Sequence, residues 1–166
     1  SIQDSGEKVV VFTRYRRMQQ ILQQVLADEL GTHASVINGT VGGPERVRLV
    51  DRFNNRQGFG ALVVSPDAGG VGLNITGASH VIHYTRLWNP AKENQATDRV
   101  HRIGQKLPVT VHYPIVEGDG FRSVEERLDE VLEEKRGLAK NVLWPRERLE
   151  IQVEELAGIL FDQGPA

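Results

Sequence analysis

Residues 8–31 have the sequence KVVVFTRYRRMQQILQQVLADELG. The β-branched run Lys8–Thr13 is typical of a buried strand, and Gly31 is a helix stop signal. Between them, Arg14–Leu30 carries apolar residues at helical spacing: Met18, Ile21, Leu22, Val25 and Leu26. The stretch therefore predicts a strand followed directly by a helix, which is the repeating unit of an α/β protein.

The same alternation continues along the chain. The further strands are predicted at His33–Asn38, Ala61–Ser65, His80–Tyr84 and Val109–Val116. Two more helices are predicted, from Gly43-Pro44 to about Asn54 and from Asn89-Pro90 to about Gly104, each with proline in its first turn. Strands joined by helices favour a parallel sheet covered on both faces. We therefore expect an α/β fold over residues 1–116.

The character of the sequence changes beyond Gly120. Ser123 and Glu126 have capping-box spacing and precede an amphipathic pattern of Val124, Leu128, Val131, Leu132 and Leu138. Trp144-Pro145 should end that helix, and Arg146–Phe161 is predicted to form another. Residues 117–166 are therefore expected to be a C-terminal helical extension that packs on the preceding domain.

Composition sets the protein class. The 166 residues are 39% hydrophobic and 25% charged, which is ordinary for a globular chain of one domain or two small ones. There is no cysteine, so disulfides, thiolate metal sites and a cysteine nucleophile are excluded. No apolar run approaches the roughly 20 residues of a membrane span, and the first residues do not resemble a signal peptide. These features predict a cytoplasmic protein with no membrane partner.

Charge is distributed unevenly. Residues 1–116 hold 13 Lys and Arg against nine Asp and Glu, a net +4, whereas residues 117–166 hold seven against 13, a net −6. The basic first part is compatible with nucleic-acid binding, and equally with an ordinary solvated surface.

The familiar signatures of a complete active site are absent from the sequence. No G-x-x-x-x-G-K-[ST] phosphate loop occurs, and the five histidines lack the spacing of a metal site. We predict no metal site in this chain.

Two segments stand out. Ser65–Thr76 (SPDAGGVGLNIT) follows a buried strand, and its glycines would let the backbone approach a phosphate or ribose. A tight strand-exit turn explains the same glycines.

The second segment is Gln95–Gln105. On a helix, Ala96, Val100 and Ile103 would form a buried stripe. Gln95, Arg99 and Arg102 would line another face and offer a donor fork for phosphate oxygens. The alternative is a surface helix whose arginines pair with Asp98 or Glu93.

Several stretches together resemble the second RecA-like lobe of a Snf2-type ATPase of helicase superfamily 2. VVVFTRY resembles the family's motif IV, SPDAGGVGLNIT its motif V, and LWNP with QATDRVHRIGQ its W-N-P and motif VI. INGT with ERVRLVDRFN, and SVEERLDEVLEEKRGL, resemble two further family segments. The resemblance spans about residues 8–140 in consistent order, and it points to a prokaryotic member.

The resemblance implies that ATP and Mg²⁺ are held between two lobes, mainly by a first lobe that this chain does not include. By position in motif VI, Arg99 and Arg102 match arginine fingers that stabilise charge on the γ-phosphate. Gln95 matches the opening glutamine of that motif, and Gly70, Gly72 and Asn74 match the motif V loop beside the nucleotide.

The resemblance also implies contacts with the backbone of double-stranded DNA. The matching positions are Thr13, Arg14, Asn38, Gly39, Thr40, Ser65 and Trp88, although Trp88 could instead be a packing residue. Asp67 stands where the family commonly has a basic residue, which would remove one phosphate contact. Arg86, in the segment before Trp88, could compensate.

Three hypotheses follow. The first is a motor lobe that is inactive as an ATPase by itself and works with a first RecA-like lobe to translocate along double-stranded DNA. The second is a stand-alone, non-catalytic RecA-like module that binds DNA or a protein. A third, an RNA-directed motor, is disfavoured by HRIGQ with W-N-P. The absence of an initiator Met suggests an excised part of a longer protein.

Overall fold

The structure is a computed structural model that describes residues 1–68, 72–118, 122–141, 151 and 158, with the side chains of 138–141 excepted. The chain divides into two compact units. The first unit is Ser1–Thr85 with Asn94–Pro114, and the second is Arg86–Glu93 with Ile115–Ala166. No helix within the described residues has the length and apolar character needed to cross a membrane.

The first unit is built on a five-stranded sheet in which every pairing is parallel. The strand order is β2-β3-β1-β4-β5, so the predicted α/β class with a parallel sheet is confirmed. The strands are β1 (Lys8–Phe12), β2 (Ser35–Ile37), β3 (Gly60–Val64), β4 (His80–His83) and β5 (Thr110–His112). All five predicted strands exist, and each is shorter than or shifted slightly from its sequence-based bounds.

Helices cover both faces of the sheet because alternate side chains of each strand point to opposite sides. Val10 and Phe12 of β1 belong to a core cluster that includes Val50 and Phe53 of the second helix. Val9 and Val11 belong to the cluster of the opposite face, which Leu22 and Leu26 of the first helix complete. Residues of β1 and β3 are buried on both faces, which explains their nearly continuous apolar sequence.

The first two helices begin and end close to their predicted limits. Helix α1 spans Arg16–Leu30 and ends at Gly31, whose φ of 60° turns the chain so that the N–H of Thr32 bonds the Leu26 carbonyl at 3.0 Å. Helix α2 spans Gly43–Asn55 and has proline in its first turn. The side chain of Lys8 lies at the end of α2, where its Nζ donates to two carbonyl oxygens, those of Phe53 and Asn54.

The third helix is shorter than the sequence predicts. Helix α3 spans Pro90–Thr97, and turns replace the expected continuation to Gly104. Beyond Thr97 the N–H groups of Arg99 and Val100 bond carbonyls only three residues back, and the carbonyl of Arg99 accepts from the N–H of Ile75 at 2.8 Å. The predicted buried stripe is therefore wrong at its end: Val100 is buried, but Ile103 is fully exposed.

The second unit contains helix α4, Val124–Asn141. Its predicted capping box is present, since Ser123 N–H donates to a Glu126 carboxylate oxygen at 2.7 Å and Glu126 N–H donates to Ser123 Oγ at 3.1 Å. Leu128 and Leu132 are buried with Ile151, whereas Val124 is exposed and does not join that core. The Leu138 side chain, the break at Trp144-Pro145 and most of the predicted helix Arg146–Phe161 lie outside the described residues.

Asn54, near the end of α2, fastens the loop that precedes β4. Its Nδ2 donates to the Asn74 carbonyl and its Oδ1 accepts from the Gly77 N–H, both at 2.9 Å. A Cβ added at Gly77 would lie only 2.7 Å from the Cα of Asn54. Glycine at position 77 is therefore what allows this loop to lie against the helix.

Replacing Gly77 by alanine should lower the free energy of unfolding by about 1–3 kcal/mol, because helix backbone must move to admit the methyl group. Gly137→Ala is the control: that glycine lies in α4 with no atom near its added Cβ, so alanine should raise stability by up to about 1 kcal/mol. Urea unfolding of both variants measures the difference. Equal stability of Gly77→Ala and the unsubstituted protein would show that the loop is not packed this closely.

Candidate functional site

Several predicted site residues of the first unit follow the carboxyl ends of three neighbouring strands. Thr13 and Arg14 follow β1, Asn38–Thr40 follows β2, and Ser65–Asp67 follows β3. Chain connections leave β1 and β3 toward opposite edges of the sheet, and in sheets of this type a ligand crevice lies at the carboxyl ends of the strands beside such a point. The fold therefore brings together segments that lie about 50 residues apart in sequence.

Arg99 is a buried cation with an incomplete set of partners. It is 8% exposed, and its Nη2 donates to the carbonyl of Pro66 at 2.9 Å. Its Nη1 is also buried and makes no hydrogen bond with the described residues. Burial lowers the pKa of the Arg99 guanidinium, while the charge of Asp67 acts in the opposite direction. A buried guanidinium nitrogen without an acceptor is costly, which points to an anionic partner for this side chain.

Arg102 reaches the same loop from the exposed side. A Cβ added at Gly72 would lie 3.2 Å from Nη1 of Arg102, so the guanidinium passes directly over a glycine. Because α3 ends at Thr97, the two arginines do not share the helical face that their spacing predicted. They instead contact two positions of the segment Ser65–Thr76, Arg99 at Pro66 and Arg102 at Gly72.

The other residues predicted to lie beside a nucleotide are placed as follows. Gln95 is exposed on α3, and Asn74 is exposed, with its carbonyl held by Asn54. Gly70 lies outside the described residues.

Two of the predicted DNA-contacting residues are buried. Thr13 is fully buried, and its hydroxyl lies 2.9 Å from the hydroxyl of Thr85. Ser65 is 8% exposed, and its N–H donates to the carbonyl of Ile37 at 2.8 Å. In this conformation the Thr13 hydroxyl is hydrogen-bonded to Thr85 and does not face solvent.

Arg14 is exposed and lies beside the unusual carboxylate Asp67. Nη2 of Arg14 is 3.5 Å from Oδ2 of Asp67, and the two side chains are 46% and 63% exposed. Such an exposed pair contributes little to stability. Its consequence is instead electrostatic, since Asp67 neutralises a cation that faces solvent next to the crevice.

The turn after β2 is organised by Asn38. Its Oδ1 accepts from the N–H and hydroxyl of Thr40, and its Nδ2 donates to Gln19 Oε1 at 2.9 Å. Gln19 is itself buried and donates to the carbonyl of Thr13 at 3.0 Å. Gly39 and Thr40 are left exposed at the tip of the turn, where they are available to a ligand.

Arg46 is a positioning residue that the sequence reasoning did not single out. Its guanidinium donates to three carbonyls, at 2.7 Å to Val41, 2.7 Å to Ala68 and 3.2 Å to Asn38. It thereby ties the turn after β2 to the loop after β3. Arg46 lies in the stretch ERVRLVDRFN, and the family segment that this stretch resembles also contains an arginine. That resemblance was the signal in the sequence, but spacing alone gives Arg46 no role.

Trp88 belongs to the second unit and is 39% exposed. Its carbonyl accepts from the N–H of Ile151 at 2.9 Å. The neighbouring Arg86 was expected to compensate for Asp67 as a DNA contact, and this is wrong. The Arg86 side chain is 4% exposed and pairs with Glu93 and Asp129, so it holds the unit together internally.

No metal centre is formed by the described ranges, since no group of three or more His, Cys, Asp or Glu side chains within them is arranged to hold an ion. His80 and His83 are instead engaged on β4. His83 stacks between the rings of Phe12 and Tyr113, and its Nε2 lies 2.9 Å from the hydroxyl of Thr97.

Comparison with known proteins identifies the class to which this fold and site belong. The helicase conserved C-terminal domain family matches residues 2–104. The chain also superposes on the Sulfolobus solfataricus SWI2/SNF2 ATPase core in complex with dsDNA, with a TM-score of 0.66 and 35% identity over 95% of this chain and 32% of that one.

Two curated relatives narrow the class. The chain is 43% identical over 142 residues to Zorya protein ZorD of Escherichia coli O139:H28, covering 82% of this chain and 13% of the relative. It is 39% identical over 160 residues to the putative ATP-dependent helicase/translocase YwqA of Bacillus subtilis, covering 94% and 17%. The chain belongs to the helicase conserved C-terminal domain family and is a RecA-like C-terminal lobe of the Snf2 type. It spans less than a fifth of the length of these relatives.

Arg46→Lys should lower the free energy of unfolding by about 2–4 kcal/mol, because one ammonium cannot replace three guanidinium bonds to carbonyls of two separate loops. The matched control is Arg48→Lys on the same helix. Arg48 is 70% exposed and pairs with Glu45 at 3.4 Å, so its replacement should change stability by no more than about 0.5 kcal/mol. Chemical denaturation compares the two, and equal effects would rule out the clamp.

Proposed function

We propose that this chain is the second motor lobe of a Snf2-type ATPase that couples ATP hydrolysis to translocation along double-stranded DNA. Its partner is a first RecA-like lobe of the same protein. The observation that carries the proposal is the convergence of Arg99 and Arg102 on one loop at the carboxyl edge of the sheet, with Nη1 of Arg99 buried and unbonded. The relative YwqA, a putative ATP-dependent helicase/translocase, supports nucleotide use.

The residues of this lobe suit an anionic phosphate group but not the whole nucleotide. A guanidinium fork of two arginines stabilises charge that develops on a transferring phosphoryl group. The sequence has no phosphate loop, so ATP and Mg²⁺ would be held mainly by the first lobe. Arg99 and Arg102 would then act as fingers, with Gln95, Gly70, Gly72 and Asn74 at the interface beside them.

Contacts with the DNA backbone are proposed at exposed positions in the turns that follow the carboxyl ends of the strands. Arg14, Gly39 and Thr40 are exposed there, while Thr13, Asn38 and Ser65 hold the loops from inside. Trp88 would add an aromatic contact from the second unit. The DNA contact of a related ATPase core, which was solved with dsDNA, supports this assignment.

The division into a lobe of residues 1–116 and a helical extension of residues 117–166 also stays a proposal, as does a cytoplasmic location. A stand-alone binding module is not favoured, because the relatives are much longer proteins of which this chain matches one part. The direct test is phosphate release by the full-length protein, with and without duplex DNA. Lack of DNA-stimulated release would refute the proposed function.

Arg102→Lys should reduce the DNA-stimulated kcat of the full-length protein about 10³-fold or more, because a point charge cannot reproduce the planar two-donor contact. Arg102 is exposed, so the melting temperature should not change. Arg99→Lys should reduce kcat similarly and also lower the melting temperature, since the bond from Arg99 to Pro66 is buried. Parallel kinetic and thermal measurements separate these effects. Normal kcat in both variants would end the finger assignment.

Asp67→Asn should tighten DNA binding by a few-fold at low salt and steepen its salt dependence, because Arg14 then keeps its full charge for a phosphate. The expected gain is absent in an Arg14→Gln background. Fluorescence anisotropy across a salt series measures both effects in the full-length protein. An equal gain with and without Arg14 would show that Asp67 acts by its own repulsion of DNA and not through Arg14.

A further inference from the structure

We propose that Arg136 of helix α4 is a positioning residue for the DNA contact of Trp88, acting through the buried carboxylate of Glu93. The inference rests on the proposed function, and specifically on Trp88 meeting DNA. Every group it involves lies in the second unit.

Glu93 is the centre of a buried ion network. Its carboxylate is fully buried and accepts four hydrogen bonds. Arg86 donates from Nε at 2.9 Å and from Nη2 at 3.3 Å, and Arg136 donates from Nη2 at 2.7 Å. The fourth donor is the backbone N–H of Leu87, also at 2.7 Å. Two arginines from different segments thus meet on one carboxylate.

Two further carboxylates join the network, so these residues supply two positive and three negative charges. Asp129 of α4 pairs with the remaining terminal nitrogen of Arg86, and Glu133 pairs with Arg136. The side chains of Arg86 and Arg136 are 4% and 15% exposed. Buried charges are costly unless they are paired and hydrogen-bonded. Removing one member of such a network therefore weakens the interactions of the remaining members.

This network fixes the backbone directly before Trp88, and two further hydrogen bonds lie beside it. The N–H of Leu87, the preceding residue, is held by Glu93. The carbonyl of Trp88 itself is held by the N–H of Ile151, and the following residue, Asn89, accepts the N–H of Ala91 on its side chain at 2.9 Å. The exposed Trp88 side chain therefore projects from a backbone that is hydrogen-bonded at Leu87 and at Trp88.

Arg136 is the link between α4 and this backbone that can be tested most cleanly. Glu93 keeps its two bonds from Arg86 when Arg136 is replaced, so the network should loosen without collapsing. The indole of Trp88 should then sample more orientations. Weaker DNA engagement follows, with little loss in the chemical step once DNA is saturating.

The experiment is a double-mutant cycle between Arg136→Gln and Trp88→Ala in the full-length protein, read as DNA-stimulated ATP hydrolysis over a range of duplex concentrations. Arg136→Gln should raise the half-saturating DNA concentration by about threefold to tenfold, a range typical of coupled neighbours. The kcat at saturating DNA should be nearly unchanged. Arg136→Lys, which keeps one donor for Glu93, should restore much of the affinity.

The coupling is decided in the Trp88→Ala background, where Arg136→Gln should have no further effect on the DNA requirement. The control is Arg122→Gln, an arginine that is 55% exposed and pairs with Glu130, and it should alter nothing. Equal fold-changes with and without Trp88 would overturn the inference, as would an unchanged DNA requirement in Arg136→Gln.

Failure of the underlying proposals is recognisable separately. An unchanged DNA requirement in Trp88→Ala alone would mean that Trp88 does not meet DNA, and the inference would fall while the ATPase proposal stood. Absence of any DNA stimulation in the unsubstituted protein would instead refute the proposed function and the inference with it.

Discussion

The site depends on one hydrogen bond, from Nη2 of Arg99 to the carbonyl of Pro66. It holds a guanidinium against the loop that leaves β3 while the second terminal nitrogen of the same group is buried without an acceptor. The bond to Pro66 fixes the direction of the planar group. The unbonded nitrogen is thereby preorganised for an anion, because no reorientation is needed when one arrives.

The rest of the first unit maintains that geometry. Arg46 ties the loop after β3 to the turn after β2, and Asn54 fastens the end of the glycine-rich segment to α2. The carbonyl of Arg99 is itself held by Ile75. These are bonds from side chains to backbone, or between loops, so the geometry of the loops does not rest on apolar packing alone. When both faces of a parallel sheet are covered, the ends of its strands remain accessible for binding a ligand.

Much of the fold could be predicted from the sequence because local and tertiary preferences agree in it. The runs KVVVF and GALVV are buried on both faces, and apolar β-branched sequence predicts that directly. Gly31 ends α1 as expected because the left-handed conformation it adopts favours glycine. The capping box of Ser123 and Glu126 formed because both of its bonds are local.

The site was less predictable because its geometry depends on contacts distant in sequence. Helical spacing through Ala96, Val100 and Ile103 favours one long helix, yet α3 ends at Thr97 and the carbonyl of Arg99 bonds the distant Ile75. Because the chain turns after Thr97, Arg99 and Arg102 do not share a helical face and Ile103 is exposed. Arg86 shows the same limit of sequence-based prediction. Its position in the sequence suggested a surface contact, whereas its partner Asp129 lies 43 residues away.

We propose that Arg99 and Arg102 interact more strongly with the charge that develops during phosphoryl transfer than with the charge of the bound nucleotide before reaction. The most direct measurement compares binding of ADP and of ADP with aluminium fluoride to the full-length protein, with Arg102 intact and as Arg102→Lys, at saturating duplex DNA. Transition-state mimics bind by the interactions that develop during reaction. The account predicts unchanged ADP affinity and a large loss of affinity for the aluminium fluoride complex. An equal change in both affinities, or none in either, would contradict it.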